Sequence, residues 1–232
     1  MMKYAISLIV GQLCGAALFV IGLLYNPFVA DRTLLPLSVS SKAAVSLSYT
    51  AVPAKTIAFT NSGEARLQPH PKGIRLLREG TLQLTDVMVT EMRNARGQTA
   101  GIGVKFSSRS ERTNLLRGEA LVDSAWYVHL PGRGSLFVEQ SENYWPFIQK
   151  VVAPAYRNSA NNWKGKWTGD LSTGPDALGA ARVTGVGGSL LGQSMAAVES
   201  LSVQAYSTDK GPVFAEGRLL IEIPSDDVSA TD

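Results

Sequence analysis

The sequence predicts a mainly β protein: an antiparallel β-barrel or β-sandwich with one or two short helices, preceded by a single transmembrane helix. Three observations predict it. Residues 5–24, AISLIVGQLCGAALFVIGLL, carry no charge, and a helix of about 20 apolar residues crosses roughly 30 Å of hydrocarbon. Beyond that run, apolar residues recur at every second position in several segments, which is the period of half-buried strands. The regular crossover helices that a parallel α/β sheet requires are missing from the pattern.

The chain divides accordingly. Residues 1–30 read as the anchor, 31–42 as a juxtamembrane linker, 43–225 as one β-rich soluble domain and 226–232 as an acidic tail. Tyr25 and Phe28 suit the headgroup layer, and Asp31 and Arg32 stop the apolar run. A cleaved signal peptide has a shorter apolar region, about 7–15 residues, and a small-x-small site. Here Phe28-Val29-Ala30 puts a bulky residue first, so a retained signal-anchor is expected. The single cysteine, Cys14, lies inside the run. Gly11-Gln12-Leu13 before it does not resemble the small-residue pattern of a lipidated cysteine, and Cys14 reads as a buried, inert thiol. A domain without cysteine has no disulfide framework. The short MMKY start favours export of the domain, as in bacterial-type signal anchors. The expected location is the inner membrane, single-pass, with a periplasmic domain. Arg32 and Lys42 on the other flank pull against that orientation.

Three hairpins justify the β assignment. Residues 82–90 and 100–106 flank a turn at Asn94-Ala95-Arg96-Gly97. Residues 125–130 and 135–139 flank Pro131-Gly132-Arg133-Gly134, with Trp126, Val128 and Leu130 sharing a face. Residues 200–206 and 213–223 flank Thr208-Asp209-Lys210-Gly211-Pro212, and Val213, Ala215, Gly217, Leu219, Ile221 and Ile223 form an inward set. One helix is expected over 142–152, where Trp145, Ile148, Val151 and Val152 fall at helical spacing, with Pro146 in its first turn and Pro154 as its stop.

Motifs for chemistry are sparse. His70 and His129 are far apart and show no metal-ligand spacing, so no metal and no cofactor are expected. Gly192-Gln193-Ser194-Met195-Ala196 departs from a nucleophile elbow at the last glycine, and no histidine follows position 129. The glycine-rich stretch 184–192 lacks the Lys-Ser/Thr of a phosphate loop and reads as a loop or barrel corner. Glu139 and Glu142 are the carboxylate candidates for acid/base catalysis, which needs two carboxyls with separated pKa values. Trp163 and Trp167, four apart with Gly165 between them, and the neighbouring Tyr144 and Trp145 are the candidate ligand-binding aromatics; packing in the core is the competing reading.

Charge is uneven. Residues 55–117 contain 11 Lys/Arg and 5 Asp/Glu, and residues 119–232 contain 8 and 13. Lys72, Arg75 and Arg78 form one basic cluster, and Arg109, Arg112 and Arg117 another; both are candidate contacts for anionic lipid or a partner. There is no Lys/Arg run or motif for nucleic acid. The expected function is therefore a membrane-tethered, non-enzymatic binding or assembly module. Its partners would be membrane lipid, an integral membrane protein complex or a hydrophobic, lipid-like small molecule. The alternative is a membrane-bound hydrolase or isomerase on a β-barrel that uses carboxylate acid/base chemistry.

Overall fold

The alternating segments pair as antiparallel strands, which make up 58% of the structure. This computed structural model describes residues 2–24, 43–61, 64–67 and 84–223, with side chains at 9–22, 44–60 and 84–223. Twelve strands form one sheet: β1 (Ala43–Thr50), β2 (Ala58–Asn61), β3 (Glu64–Leu67), β4 (Thr85–Arg93), β5 (Thr99–Arg109), β6 (Leu121–Leu130), β7 (Gly134–Asn143), β8 (Asn162–Asp170), β9 (Ser172–Gly174), β10 (Ala181–Gly188), β11 (Ser194–Ser207) and β12 (Gly211–Ile223). Their order is β1-β12-β11-β10-β7-β6-β5-β4-β2-β3; β8 adds to β11 and β9 to β7. The sheet returns on itself through one pair, Ser48 of β1 with Arg93 of β4. It therefore curls round a core without closing evenly into a barrel.

All three expected hairpins are present, with turns at 94–98, 131–133 and 208–210. Trp126, Val128 and Leu130 are buried together. The inward set of β12 holds from Ala215 to Ile223, but Val213 is 44% exposed. The ladder explains the exception: Phe214 pairs with Ala205 and Pro212 with Tyr206, so Val213 is an extra, unpaired residue where the alternation breaks.

The helix expected over 142–152 is displaced. Glu142 and Asn143 end β7. The helical segment is α2 (Trp145–Phe147), a π-helical turn (Ile148–Val152) and α3 (Ala153–Arg157), so it passes through Pro154. The wide turn explains why. The Ala153 N–H bonds back to the Ile148 carbonyl, and Pro154, which has no N–H to offer, sits in the first turn of α3, where none is needed. The glycines of 184–188 end β10 and turn tightly into β11; a Cβ on Gly185 would stand 1.6 Å from the Leu190 carbonyl oxygen.

Strand direction fixes two ends. The end where β1 begins, nearest the anchor in sequence, carries the turns 94–98, 131–133 and 189–193. The opposite end carries 110–120, the helical segment and 208–210. The interior is layered between them. One apolar cluster holds Leu47, Trp126, Val128, Leu136, Val138, Ala197, Leu219 and Ile221. A second, under the helical segment, holds Val52, Phe147, Val151, Trp167, Leu171, Leu201, Val203 and Ala215.

The N-terminal helix, α1 (Met2–Leu24), covers the apolar run, and its side chains at 9–22 are exposed. Among the described residues no helix is long and apolar enough to cross a membrane. The linker, the acidic tail, His70, Lys72, Arg75 and Arg78 lie outside the described residues.

Candidate functional site

Period two places a charged layer inside the sheet. On β11, Met195 and Ala197 belong to the first apolar cluster and Leu201 and Val203 to the second; Glu199 lies between them on the same face. On β7, Leu136 and Val138 are followed inward by Gln140 and Glu142. Lys105 follows Gly101 and Gly103 on β5, and Ser124 precedes Trp126 on β6. Glu142 and Glu199 are 0% exposed and Lys105 6%.

Lys105 bridges the two acids. Its Nζ lies 2.6 Å from Glu142 Oε1 and 2.7 Å from Glu199 Oε1, and 5.3 Å from the centre of the Trp126 ring. Trp126 Nε1 donates to Glu199 Oε2 at 2.8 Å, and the Tyr49 hydroxyl donates to Glu199 Oε1. Gln140 Nε2 donates to Glu142 Oε1 at 2.8 Å and also to Glu199 Oε2. The Ser124 hydroxyl donates to Glu142 Oε1. Ser172 completes the layer: its hydroxyl donates to Gln140 Oε1 at 2.7 Å and accepts the Glu199 N–H at 2.8 Å. Glu142 Oε2 alone in this layer has no hydrogen-bond partner of ordinary geometry.

Two carboxylates and one ammonium cannot all ionise without leaving a net buried charge. The environments divide the acids. Burial, then the Glu199 charge, push the Glu142 carboxyl above its usual range, although Lys105 and Ser124 oppose them. Burial also penalises an ionised Glu199, but Lys105, Tyr49 and Trp126 outweigh it and hold that carboxyl low. Burial disfavours charge on Lys105, but the two acids overcome it and raise its pKa. The Tyr49 and Tyr144 phenols are pushed well above their usual value by burial and by these same acids. The layer thus pushes the two acids apart, Glu142 toward its protonated form and Glu199 toward its carboxylate, with a titration the pair shares.

The structure does not bring the side chains of Glu139 and Glu142 together. They are an odd number of residues apart on β7, so their side chains leave opposite faces. The Glu139 side chain is 58% exposed and stands 3.9 Å from Arg182. Sequence reasoning missed Lys105 and Glu199, yet a signal was there. The alternation read from Leu201 and Val203, continued one step back, puts Glu199 on the inward face.

The candidate aromatics divide between core and rim. Trp167 is 9% exposed and packs 5.4 Å from Phe147, and Trp145 is 4% exposed. Tyr144 and Trp163 are half-buried against the second apolar cluster. Trp163 also lines an open hollow of about 290 Å³ between β8, β11 and the 208–210 turn. A larger hollow, about 570 Å³, includes Arg112, Asp123, Ser124, Glu139, Gln140 and Ser141 in its lining. Arg109, Arg112 and Arg117 are exposed at the end opposite the start of β1, and Arg112 is engaged by Asp123 at 2.6 Å and by Ser141. Arg117 follows two exposed leucines, Leu115 and Leu116. His129 is exposed, its Nδ1 3.0 Å from the Ser135 hydroxyl. Among the described residues no three His, Cys, Asp or Glu side chains gather to hold a metal.

No protein-family model matches this chain, and no curated protein sequence does. Two solved structures align along most of it. The crystal structure of the Diels Alderase AbmU from Streptomyces koyangensis is 10% identical with a TM-score of 0.33, covering 81% of this chain and 72% of that one. A structure titled as a nonspecific heme-binding cyclase that catalyses a 4 + 2 cycloaddition during neoabyssomicin biosynthesis is also 10% identical, with a TM-score of 0.36, covering 79% and 65%. Similarity at this level carries no argument about activity, and the site is read from its own residues.

Proposed function

We propose that this chain is a membrane-tethered, non-enzymatic binding or assembly module that engages a membrane-protein partner or a lipid-like ligand. The observation that supports it most is the self-contained Lys105 layer. The ammonium and both carboxylates are directed at one another and at Tyr49, Trp126, Gln140 and Ser124, between two apolar clusters. A buried, densely hydrogen-bonded network specifies strand register and rigidity. Neither described hollow has Lys105, Glu142 or Glu199 in its lining, while Ser124 and Gln140 stand between the layer and the larger one. The tether has separate support. Ile9, Leu13, Leu18 and Phe19 on α1 are each more than half exposed, and an apolar helix uncovered all round calls for lipid or protein about it. In this reading the helix sits in the inner membrane and the domain in the periplasm. Membranes carrying the full chain, washed with alkaline carbonate, should retain it. Pull-down after solubilisation, read by native mass spectrometry, should bring a membrane protein or a retained small molecule. Release of a soluble form beginning near Asp31 overturns the tether, and recovery of the chain alone overturns the binding reading.

One observation favours a second reading, a membrane-bound hydrolase or isomerase. Glu142 and Glu199 have pKa values pushed in opposite directions, and Glu142 keeps one oxygen unpaired; such a division is what acid/base pairs use. Glu199 then takes the place of Glu139. Carbodiimide coupling of an amine to the native full chain separates the readings. A structural layer leaves Glu142 and Glu199 unlabelled while Glu139 reacts, whereas reaction of Glu142 at a rate close to that of Glu139 favours the enzyme.

A further inference from the structure

We propose that the hollow between β8, β11 and the 208–210 turn is a saccharide-binding subsite, with the Trp163 indole as the platform for a pyranose ring. This rests on the binding reading above and names a ligand class for it, and it does not depend on the tether.

The platform comes from the sequence Trp163-Lys164-Gly165. A side chain two residues on shares the face of a strand, and Gly165 leaves that place empty. The indole lies in it: a Cβ on Gly165 would stand 2.7 Å from Trp163 Cζ2 and 3.1 Å from Cη2. Gly165 is itself exposed, so the strand is bare beside the ring. Four residues on, the same device recurs, with a Gly169 Cβ placed 2.7 Å from Trp167 Cζ2. There Phe147 covers the indole. Of the two, it is the first copy that lines one of the described hollows.

The rim states what kind of molecule fits. Asn161 supplies an amide, Asp209 a carboxylate and Lys164 and Lys210 ammoniums, and Tyr206 stands opposite Trp163 in the ladder. Such mixed donors and acceptors suit vicinal hydroxyls, each of which both donates and accepts. The C–H face of a pyranose is apolar and suits an indole. A wholly apolar ligand would desolvate these polar groups without replacing their hydrogen bonds. The rim is also fixed. Asn161 holds a left-handed backbone, φ 51, which asparagine tolerates better than most residues. Its carbonyl accepts the Thr208 N–H at 3.1 Å and the Thr208 hydroxyl at 3.2 Å, tying together the two loops that carry the polar groups. A volume of about 290 Å³ lies at the lower end of small-molecule pockets, about 300 Å³. The hollow lies at the end opposite the start of β1, open to a free glycan or to one borne on a surface.

The full chain in dodecylphosphocholine micelles, which present no sugar, is titrated with maltohexaose and with chitohexaose by tryptophan fluorescence. A second arm uses nanodiscs containing monoglucosyl diacylglycerol. A saturable shift with either oligosaccharide assigns a free glycan, and one with the nanodiscs alone assigns a headgroup. Trp163→Ala and Gly165→Ala should each weaken binding at least tenfold, Asp209→Asn severalfold and Lys166→Ala less than twofold. Gly165→Ala and Asp209→Asn keep the test open if Trp163→Ala does not fold. No saturable shift in any arm, affinity unchanged in Gly165→Ala, or a shift with AMP in place of sugar overturns the subsite. Partner capture from membranes is read separately, so its survival alongside failure here removes the saccharide and leaves the binding module.

Discussion

The charged layer inside the sheet and the hollow at the far end use the same kinds of side chain: a lysine, an acid, an amide and a tryptophan. They differ in what satisfies them. Inside, Lys105 is held by two carboxylates, Gln140 reaches both acids and the Trp126 N–H has an acceptor. At the rim, Asn161, Asp209 and Lys210 line an open hollow. Polar chemistry sealed within a core contributes to a unique fold, and polar chemistry around an open concavity is available to a ligand. Position along the strands, between the apolar clusters or beyond them, separates the two.

The largest expected effect breaks the inner layer. Glu199→Ala removes the acceptor of Tyr49, Trp126, Gln140 and Lys105 together. Breaking a buried ion pair from one side costs about 3–5 kcal/mol when the remaining charge is left unpaired; here Glu142 stays 2.6 Å from Lys105, which places the loss toward the lower end of that range. The urea midpoint should fall accordingly. Adding Lys105→Met should restore part of the loss, since the buried ammonium, left with one carboxylate in place of two, goes with it. A double mutant no more stable than Glu199→Ala would show that Lys105 reaches water, and the contrast between layer and hollow would fail.

How much of this was legible in the sequence follows from how local each signal is. The hairpins were, because Asn94–Gly97, Pro131–Gly134 and Thr208–Pro212 are turn chemistry next to alternating strands. The choice between barrel and sandwich was not, because the uneven closure depends on β1 meeting β4, a single pair between distant residues. Glu142 was singled out, but with Glu139 as its partner, since proximity in sequence is visible and the long-range pairing of β5, β6, β7 and β11 is not. The residues that do meet it, Lys105 and Glu199, are far from it in the chain. The helix boundary failed for a related reason. Helical spacing around Trp145 is real, but β6 claims Glu142 and Asn143 through ladder pairing with Val122 and Leu121. The Trp163 and Trp167 face was legible, and tertiary cover by Phe147 distinguishes the two rings.

A smaller effect sharpens the proton account of the layer. Glu142 has a folded-state pKa raised above its ordinary 4.5, so the folded state binds the proton more tightly than the unfolded chain does. Its contribution is therefore present below 4.5 and is lost as pH rises through the raised value. Glu199, held low, acts oppositely: its contribution is present above 4.5 and is lost as pH falls through its depressed value. Lys105, raised above 10.5, contributes below 10.5 and loses that contribution as pH climbs through its own raised value. Glu142→Gln mimics the protonated acid. Stability followed by urea unfolding should therefore decline less from pH 4.5 upward in Glu142→Gln than in the native chain. Parallel profiles would mean that Glu142 is ionised throughout and that the layer carries a net charge.

The smallest effect belongs to Glu139, the carboxylate that shares a strand with Glu142 but faces the other way. Its partner Arg182 stands 3.9 Å off, and the two side chains are 58% and 51% exposed. Arg182 also has Asp176 at 3.2 Å, so losing Glu139 does not strand its charge. Exposed pairs of this kind contribute about 0–1 kcal/mol, and added salt screens them. Glu139→Gln should shift the urea midpoint by an amount within that range, and less at 1 M salt. A loss from Glu139→Gln comparable to that from Glu199→Ala would place Glu139 in the buried network, and the separation of the two faces of β7 would be wrong.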